Sequence, residues 1–162
     1  MILDFIRNKI VEVEPLPDGS LRVSWNLKDS LLEAEVKLGV RPPDLEITET
    51  FARLKRFPHQ KCLLAIGLLE AIKGVRIGSG LRKIVQGLLG GPQGCGLMSN
   101  AVLEAGNAAI LHFTRYTLQP RDNLDDDKII ALSRERVKTN PRMVGSCVVY
   151  GENSPVMQGH GS

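Results

Sequence analysis

Three cysteines, Cys62, Cys95 and Cys147, are the residues of this chain best suited to chemistry. A thiolate is a nucleophile, a redox group and a soft metal ligand. Cys95 follows a glycine-rich turn and opens a helical run, where backbone amides and the positive helix end favour a thiolate. Cys62 falls in the first turns of an earlier helical run, and His59 precedes it by three residues on nearly the same face. His59, Cys62, Cys95 and Cys147 together would form a Cys3His ligand set, suited to zinc or an iron–sulfur cluster. The cysteine spacings of 33 and 52 positions lack the Cys-x-x-Cys pairs of a zinc ribbon. A paired or redox-active thiol, or small buried hydrophobes, therefore stay open beside the metal reading.

A second set of residues suggests a small anionic ligand. Gly78-Ser79-Gly80-Leu81-Arg82-Lys83 and Gly90-Gly91-Pro92-Gln93-Gly94-Cys95-Gly96 both lead into helical runs. Free amides at a helix start bind phosphate or carboxylate, and Arg82 or Lys83 could add charge. Candidate ligand contacts are Ser79, Arg82, Lys83, Gly94 and Gly96, with Ser99, Asn100 and Glu104 as polar residues among small ones in the following helix. Glycine pairs also serve as turns and helix caps. Neither segment has Walker-type Gly-Lys-Ser/Thr spacing, so a nucleotide-hydrolase loop is rejected. No Gly-x-Ser-x-Gly elbow, His-Glu-x-x-His or paired-carboxylate pattern occurs. Asp125-Asp126-Asp127 lacks the alternating spacing of a calcium loop and reads as helix-start charge. No reaction is assigned.

The elements that must position these residues divide cleanly along the chain. Val11 and Val13 alternate with glutamates; Leu21, Val23, Trp25 and Leu27 alternate with polar residues, as do Leu32, Ala34, Val36 and Leu38. A fourth run, Leu45, Ile47, Glu49 and Phe51, changes apolar phase near residues 50–52, which predicts a bulge there. Short connections make these four strands an antiparallel meander. Helical spacing follows: His59 to Lys73 with Pro58 at the first helical position, Gly80 to Leu89 capped by Ser79, Cys95 to about Thr117, and a helix after Asp125-Asp126-Asp127 that stops at Asn140-Pro141. Ser146 to Tyr150 reads as a short final strand. Strands grouped before helices give an α+β fold: an N-terminal four-stranded antiparallel meander, three to four helices and a short C-terminal strand. Residues 1–155 are expected to form a single domain and residues 156–162 a polar tail.

Charge and composition narrow the function classes. The chain has 162 residues, 24% charged, with a formal net charge of +3. That total hides ten acids against six bases in residues 1–49, and eight bases against one acid in residues 50–83. The basic middle is expected to pair with the acidic strands or to hold an anion locally. Aromatics are 4% of the chain, too few for base-stacking platforms, and nucleic acid is not an expected partner. No apolar run approaches the ~20 residues of a membrane span. An odd number of cysteines without a signal-peptide pattern predicts reduced thiols in the cytoplasm.

Particular residues also carry a family resemblance. The meander leads into Arg56-Phe57-Pro58-His59-Gln60-Lys61-Cys62, then Gly74, Ile77, Gly80-Leu81, Leu89-Gly90-Gly91 and Gly94-Cys95, with a late Gly145-Ser146-Cys147-Val148-Val149-Tyr150. This pattern resembles the bacterial and archaeal domain of unknown function 2889, over about residues 10–155. Its most specific pieces are Pro-x-x-x-Cys and Gly-Gly-x-x-Gly-Cys. The family pattern places Thr-His-Leu after the second cysteine; Gly96-Leu97-Met98 stands there, so no histidine role carries over. The resemblance implies a fold and a site location, and no chemistry. Two functions follow as expectations: a thiol, metal or small-anion site at helix starts, or a non-catalytic homo-oligomeric interaction domain with structural cysteines.

Overall fold

The alternating N-terminal runs become four strands: β1 (Asn8–Pro15), β2 (Leu21–Lys28), β3 (Glu33–Arg41) and β4 (Glu46–Arg56). The computed structural model describes residues 4–114, 125–139 and 141–158, in two compact units, residues 1–117 and 118–162. The strands form one antiparallel sheet in the order β1-β2-β3-β4. Successive strand side chains point to opposite faces, so Leu21, Val23, Trp25 and Leu27 of β2 and Ala34, Val36, Leu38 and Val40 of β3 share one buried face. Arg22, Lys28, Glu33, Glu35 and Lys37 populate the other. Asp29 closes the β2–β3 hairpin by accepting the N–H groups of Leu31 and Leu32, both at 2.7 Å, and Nε of Arg7 at 2.6 Å.

The expected bulge lies earlier than residues 50–52. Gly39 pairs with Glu49 but Val40 pairs with Ile47, so Thr48 is the extra residue. A second shift lies between Glu33 and Ala34, whose partners are Arg56 and Leu54. Gly39 explains the first position: a Cβ there would lie 3.0 Å from Glu49 Cβ and 3.2 Å from Thr48 Oγ1. A bulge brings the strands close here, and a residue without a side chain fits that approach without displacing its neighbours.

The free edge of β4 is covered at its start. Ile47 N–H donates to the Val75 carbonyl at 2.9 Å, Gly74 N–H to the Ile47 carbonyl at 2.8 Å, and Ile77 N–H to the Leu45 carbonyl at 3.0 Å.

The run expected as one helix from His59 to Lys73 is three shorter pieces: a 3-10 turn Gln60–Leu63, α1 (Leu64–Leu68) and a 3-10 turn Leu69–Ile72. His59, not Pro58, starts it, because His59 Nδ1 accepts the Lys61 N–H at 3.1 Å. Only Ala65, Leu69 and Ile72 are buried, and Leu64 is 74% exposed. Packing uses only one face of this run.

Next comes α2 (Leu81–Leu89). It begins at Gly80, in the left-handed region at φ +87°, without a side-chain cap, so Ser79 does not play that part. In α3 (Gly96–Thr114), Met98, Ala101, Val102, Ala105 and Ala109 pack into the first core. Gly106 allows the close approach of α2, since a Cβ there would meet Leu81 Cδ2 at 2.8 Å. The expected end near Thr117 lies outside the described residues.

In the second unit, α4 (Asp126–Thr139) is capped by Asp125 Oδ1, which accepts the Lys128 N–H at 2.8 Å. Asp126 and Asp127 occupy its first turn and Arg136 and Lys138 its last, as the helix dipole favours. Val137, Tyr150 and Val156 form the core of this unit. The expected strand at Ser146–Tyr150 is instead a turn and a 3-10 turn, Val148–Tyr150. Its backbone bonds locally: Gly145 N–H to the Tyr150 carbonyl at 2.9 Å and Tyr150 N–H to the Cys147 carbonyl at 3.0 Å. Among the described residues no strand pairs with this segment, and Val148 is 89% exposed. The fold is α+β, and among the described residues no helix is long and apolar enough to cross a membrane.

Candidate functional site

The three cysteines have different surroundings. Cys62, in the turn before α1, and Cys95, just before α3, are half-buried against the first core. Cys147 is exposed in the second unit, and all three thiols are free. Cys95 is held by its backbone: its N–H donates to the Leu89 carbonyl at 2.7 Å and its carbonyl accepts the Ser99 N–H at 3.0 Å. His59 is exposed and uses Nδ1 to cap its own turn. Among the described residues, no group of three or more His, Cys, Asp or Glu side chains is arranged to hold a metal ion.

The glycine-rich helix starts are largely committed to packing. At Gly94 a Cβ would lie 2.2 Å from the Leu89 carbonyl oxygen and 2.3 Å from that of Gly90. The chain there folds back over the end of α2, and glycine is required. The N–H groups of Gly94 and Cys95 are bonded to the carbonyls of Gly91 and Leu89, so neither is free for an anion. Ser79, Arg82, Lys83 and Gly96 are exposed. Asn100 is exposed too, whereas Ser99 is buried with its hydroxyl unpartnered.

Glu104 faces the sheet. One carboxylate oxygen accepts the Trp25 indole N–H and the other the Lys9 ammonium, each at 2.5 Å. Burial alone would raise the pKa of this carboxyl, but the Lys9 and Trp25 donors outweigh it and hold the pKa below the ordinary glutamate value. Ser99, Asn100 and Glu104 thus have separate roles: core, solvent and helix–sheet attachment.

The basic middle of the chain is mostly neutralised in place. Arg53 pairs with Glu35 at 2.8 Å, Lys55 and Arg56 with Glu33 at 3.2 and 3.3 Å, Lys73 with Glu70 at 2.6 Å and Arg76 with Asp44 at 3.2 Å. Hydrogen bonds from Lys55 and Arg56 hold the Glu33 carboxyl below its usual pKa, and that from Lys37, with a smaller one from Arg53, does the same for Glu35. Lys61, Arg82 and Lys83 make no ion pair among the described residues.

A depression of about 670 Å³ lies on the outer face of the sheet, and none of the sequence-derived candidates lines it. Its floor is Gly39, and Leu16, Asp18, Gly19 and Ser20 of the β1–β2 turn and Pro42 after β3 contribute walls. Two cations, Lys37 and Arg41, flank Gly39 along β3, and Arg22 stands directly across on β2. Opposite them on β4 is Glu49. Lys37 also lies over the Phe51 ring, 5.5 Å from its centroid. The sequence does contain a signal for this feature: a glycine inside an alternating strand, two residues from a cation on either side. Arg22 joins them only through the strand register.

A family model described as Protein of unknown function (DUF2889) matches residues 7–111. The match spans β1 to most of α3 and ends before residues 145–150, which the resemblance had included. No curated protein and no solved structure matches the chain.

Proposed function

The chain belongs to the DUF2889 family, and we propose that it is a non-catalytic interaction domain that pairs with a second copy of itself along β1. The observation that carries this reading is the asymmetry of the sheet edges. The start of β4 is covered by residues 74–77, while β1 is an edge strand of eight residues with Ile10 57% exposed. An uncovered edge presents unpaired N–H and C=O groups to another strand. The small-residue face of α3 offers no competing interface, because Ala101, Ala105 and Ala109 are spent inside the fold.

A two-fold axis at β1 makes the pair antiparallel and presents the same edge from each copy. The half-buried Cys62 and Cys95 are core residues in this reading.

Sedimentation across the micromolar to millimolar range tests it. Wild type should associate to a dimer, and Ile10→Asp should be monomeric with an unchanged thermal melt. In registers centred on residues 10, 11 or 12 the new carboxylate faces its own copy, Glu12 or Glu14. A wild type that stays monomeric throughout would overturn the proposal, as would an Ile10→Asp variant that dimerises equally well.

A further inference from the structure

The geometry points to a small-oxyanion site on the outer face of the sheet, over Gly39, with Arg22, Lys37 and Arg41 as its cationic contacts. This does not depend on pairing through β1. Three observations converge on it. The bulge at Thr48 brings β4 close to position 39, where glycine fits without displacing Thr48 or Glu49, and leaves a gap in a face otherwise covered by long side chains. Residues two apart on one strand lie about 6.6–6.8 Å apart and facing residues on neighbouring strands about 4.5–5.5 Å apart. Lys37 and Arg41 along β3 and Arg22 across on β2 therefore ring that gap. The depression, about 670 Å³, falls in the range of small-molecule sites, roughly 300–1,000 Å³.

The acids around the gap do not cancel this set. Asp18 is turned to its own turn, accepting the Ser20 N–H at 2.9 Å and the Ser20 hydroxyl at 2.6 Å. The carboxylates that pair with the cations lie outside the lining: Glu14 with Arg22 at 3.1 Å, Glu35 with Lys37 at 2.8 Å and Glu46 with Arg41 at 2.7 Å. In each pair the cation keeps more than a third of its side chain exposed, so it is screened and can turn toward a ligand. Neither Asp18 nor Glu49 makes an ion pair among the described residues, and Glu49 is the one that stands on β4 opposite the cations. Guanidinium groups match carboxylate and phosphoryl oxygens alike, so the shared ligand chemistry is a small oxyanion with more than one negative charge.

Titration of the full chain with inorganic pyrophosphate and, separately, with citrate tests the assignment, followed by backbone amide NMR. Saturable shifts should centre on Gly39, Thr48 and Phe51. Arg22→Gln and Arg41→Gln should each weaken binding about tenfold, as expected for one lost charge-assisted hydrogen bond. Glu49→Gln should tighten it, a gain that damage to the fold would not produce. Preference for pyrophosphate would identify a phosphoryl ligand and preference for citrate a carboxylate one; equal binding supports the common chemistry. The site is refuted if neither probe saturates, if shifts centre on Gly80 to Lys83, or if both arginine variants bind as tightly as wild type.

Discussion

Nε1 of Trp25 donates to Oε2 of Glu104 at 2.5 Å, which ties the centre of β2 to the middle of α3. Trp25 is 1% exposed, and removing the carboxylate takes away the acceptor its indole N–H uses. Lys9 binds the other oxygen but keeps 42% of its side chain in solvent, as Glu104 keeps 36%. The ion pair is thus the weaker half of the arrangement and the indole bond the stronger.

Glu104→Ala should destabilise the fold by about 1–3 kcal/mol, the cost of an unsatisfied buried donor. Glu104→Gln keeps an acceptor for the indole and loses only the exposed charge pair, for about 1 kcal/mol or less. Trp25 is the only tryptophan, so its emission during urea unfolding reads both variants. Equal losses would show that the indole bond is not the stronger half.

Acid should weaken the fold through carboxyls whose pKa is depressed in the native state. For Asp29, burial pushes the pKa up, but the Leu32 and Leu31 N–H groups and the Arg7 guanidinium more than offset it, and the net shift is downward. A depressed folded pKa contributes stability above the unfolded value and loses it as pH falls through the folded one. The loss should therefore begin near pH ~4, the ordinary carboxylate range, and deepen below it. Asp29→Asn should flatten that part of the profile when unfolding midpoints are measured from pH 7 downward. Parallel profiles for wild type and variant would remove Asp29 from the account.

The two glycines Gly94 and Gly87 should respond oppositely to alanine. At Gly94 the added Cβ meets backbone oxygens at 2.2 and 2.3 Å, so the substitution forces the chain before α3 to move and should cost about 1–3 kcal/mol. At Gly87, on the exposed side of α2, nothing lies within 4 Å, and alanine should stabilise by about 0.5–1 kcal/mol. Thermal melts of the two variants decide the matter; a neutral Gly94→Ala would contradict the packing described.

Cysteine alkylation should follow exposure. Cys147 is exposed while Cys62 and Cys95 are half-buried, so limiting iodoacetamide should label Cys147 first, and Cys147→Ser should abolish the fast phase seen by mass spectrometry. Earlier modification of Cys62 or Cys95 would show that their half-buried positions do not protect them.

Much of the fold was legible in residue order. Alternation at Leu21, Val23, Trp25 and Leu27 names both the strand and its buried face, because the two-residue repeat of an extended chain is a local property. The acids before Lys128 and the bases near Lys138 mark the ends of α4 for a similar reason: the helix dipole acts within one turn. The expected pairing of the basic middle with the acidic strands was also readable from charge counts. By contrast, Ser146–Tyr150 has strand-like residues and no strand, since a strand needs a neighbour that sequence does not supply.

What the sequence by itself determined is therefore the grouping of four strands before the helices, the core face of β1, β2 and β3, and the family. Tertiary structure alone decided where the bulge falls, that His59 caps a turn, that Glu104 reaches Trp25 from 79 positions away, and that Arg22 stands across from Gly39. These rest on register and on backbone approach between segments distant in the chain. Such contacts depend on the positions of both partners at once, whereas periodicity and capping need only neighbours a few residues away.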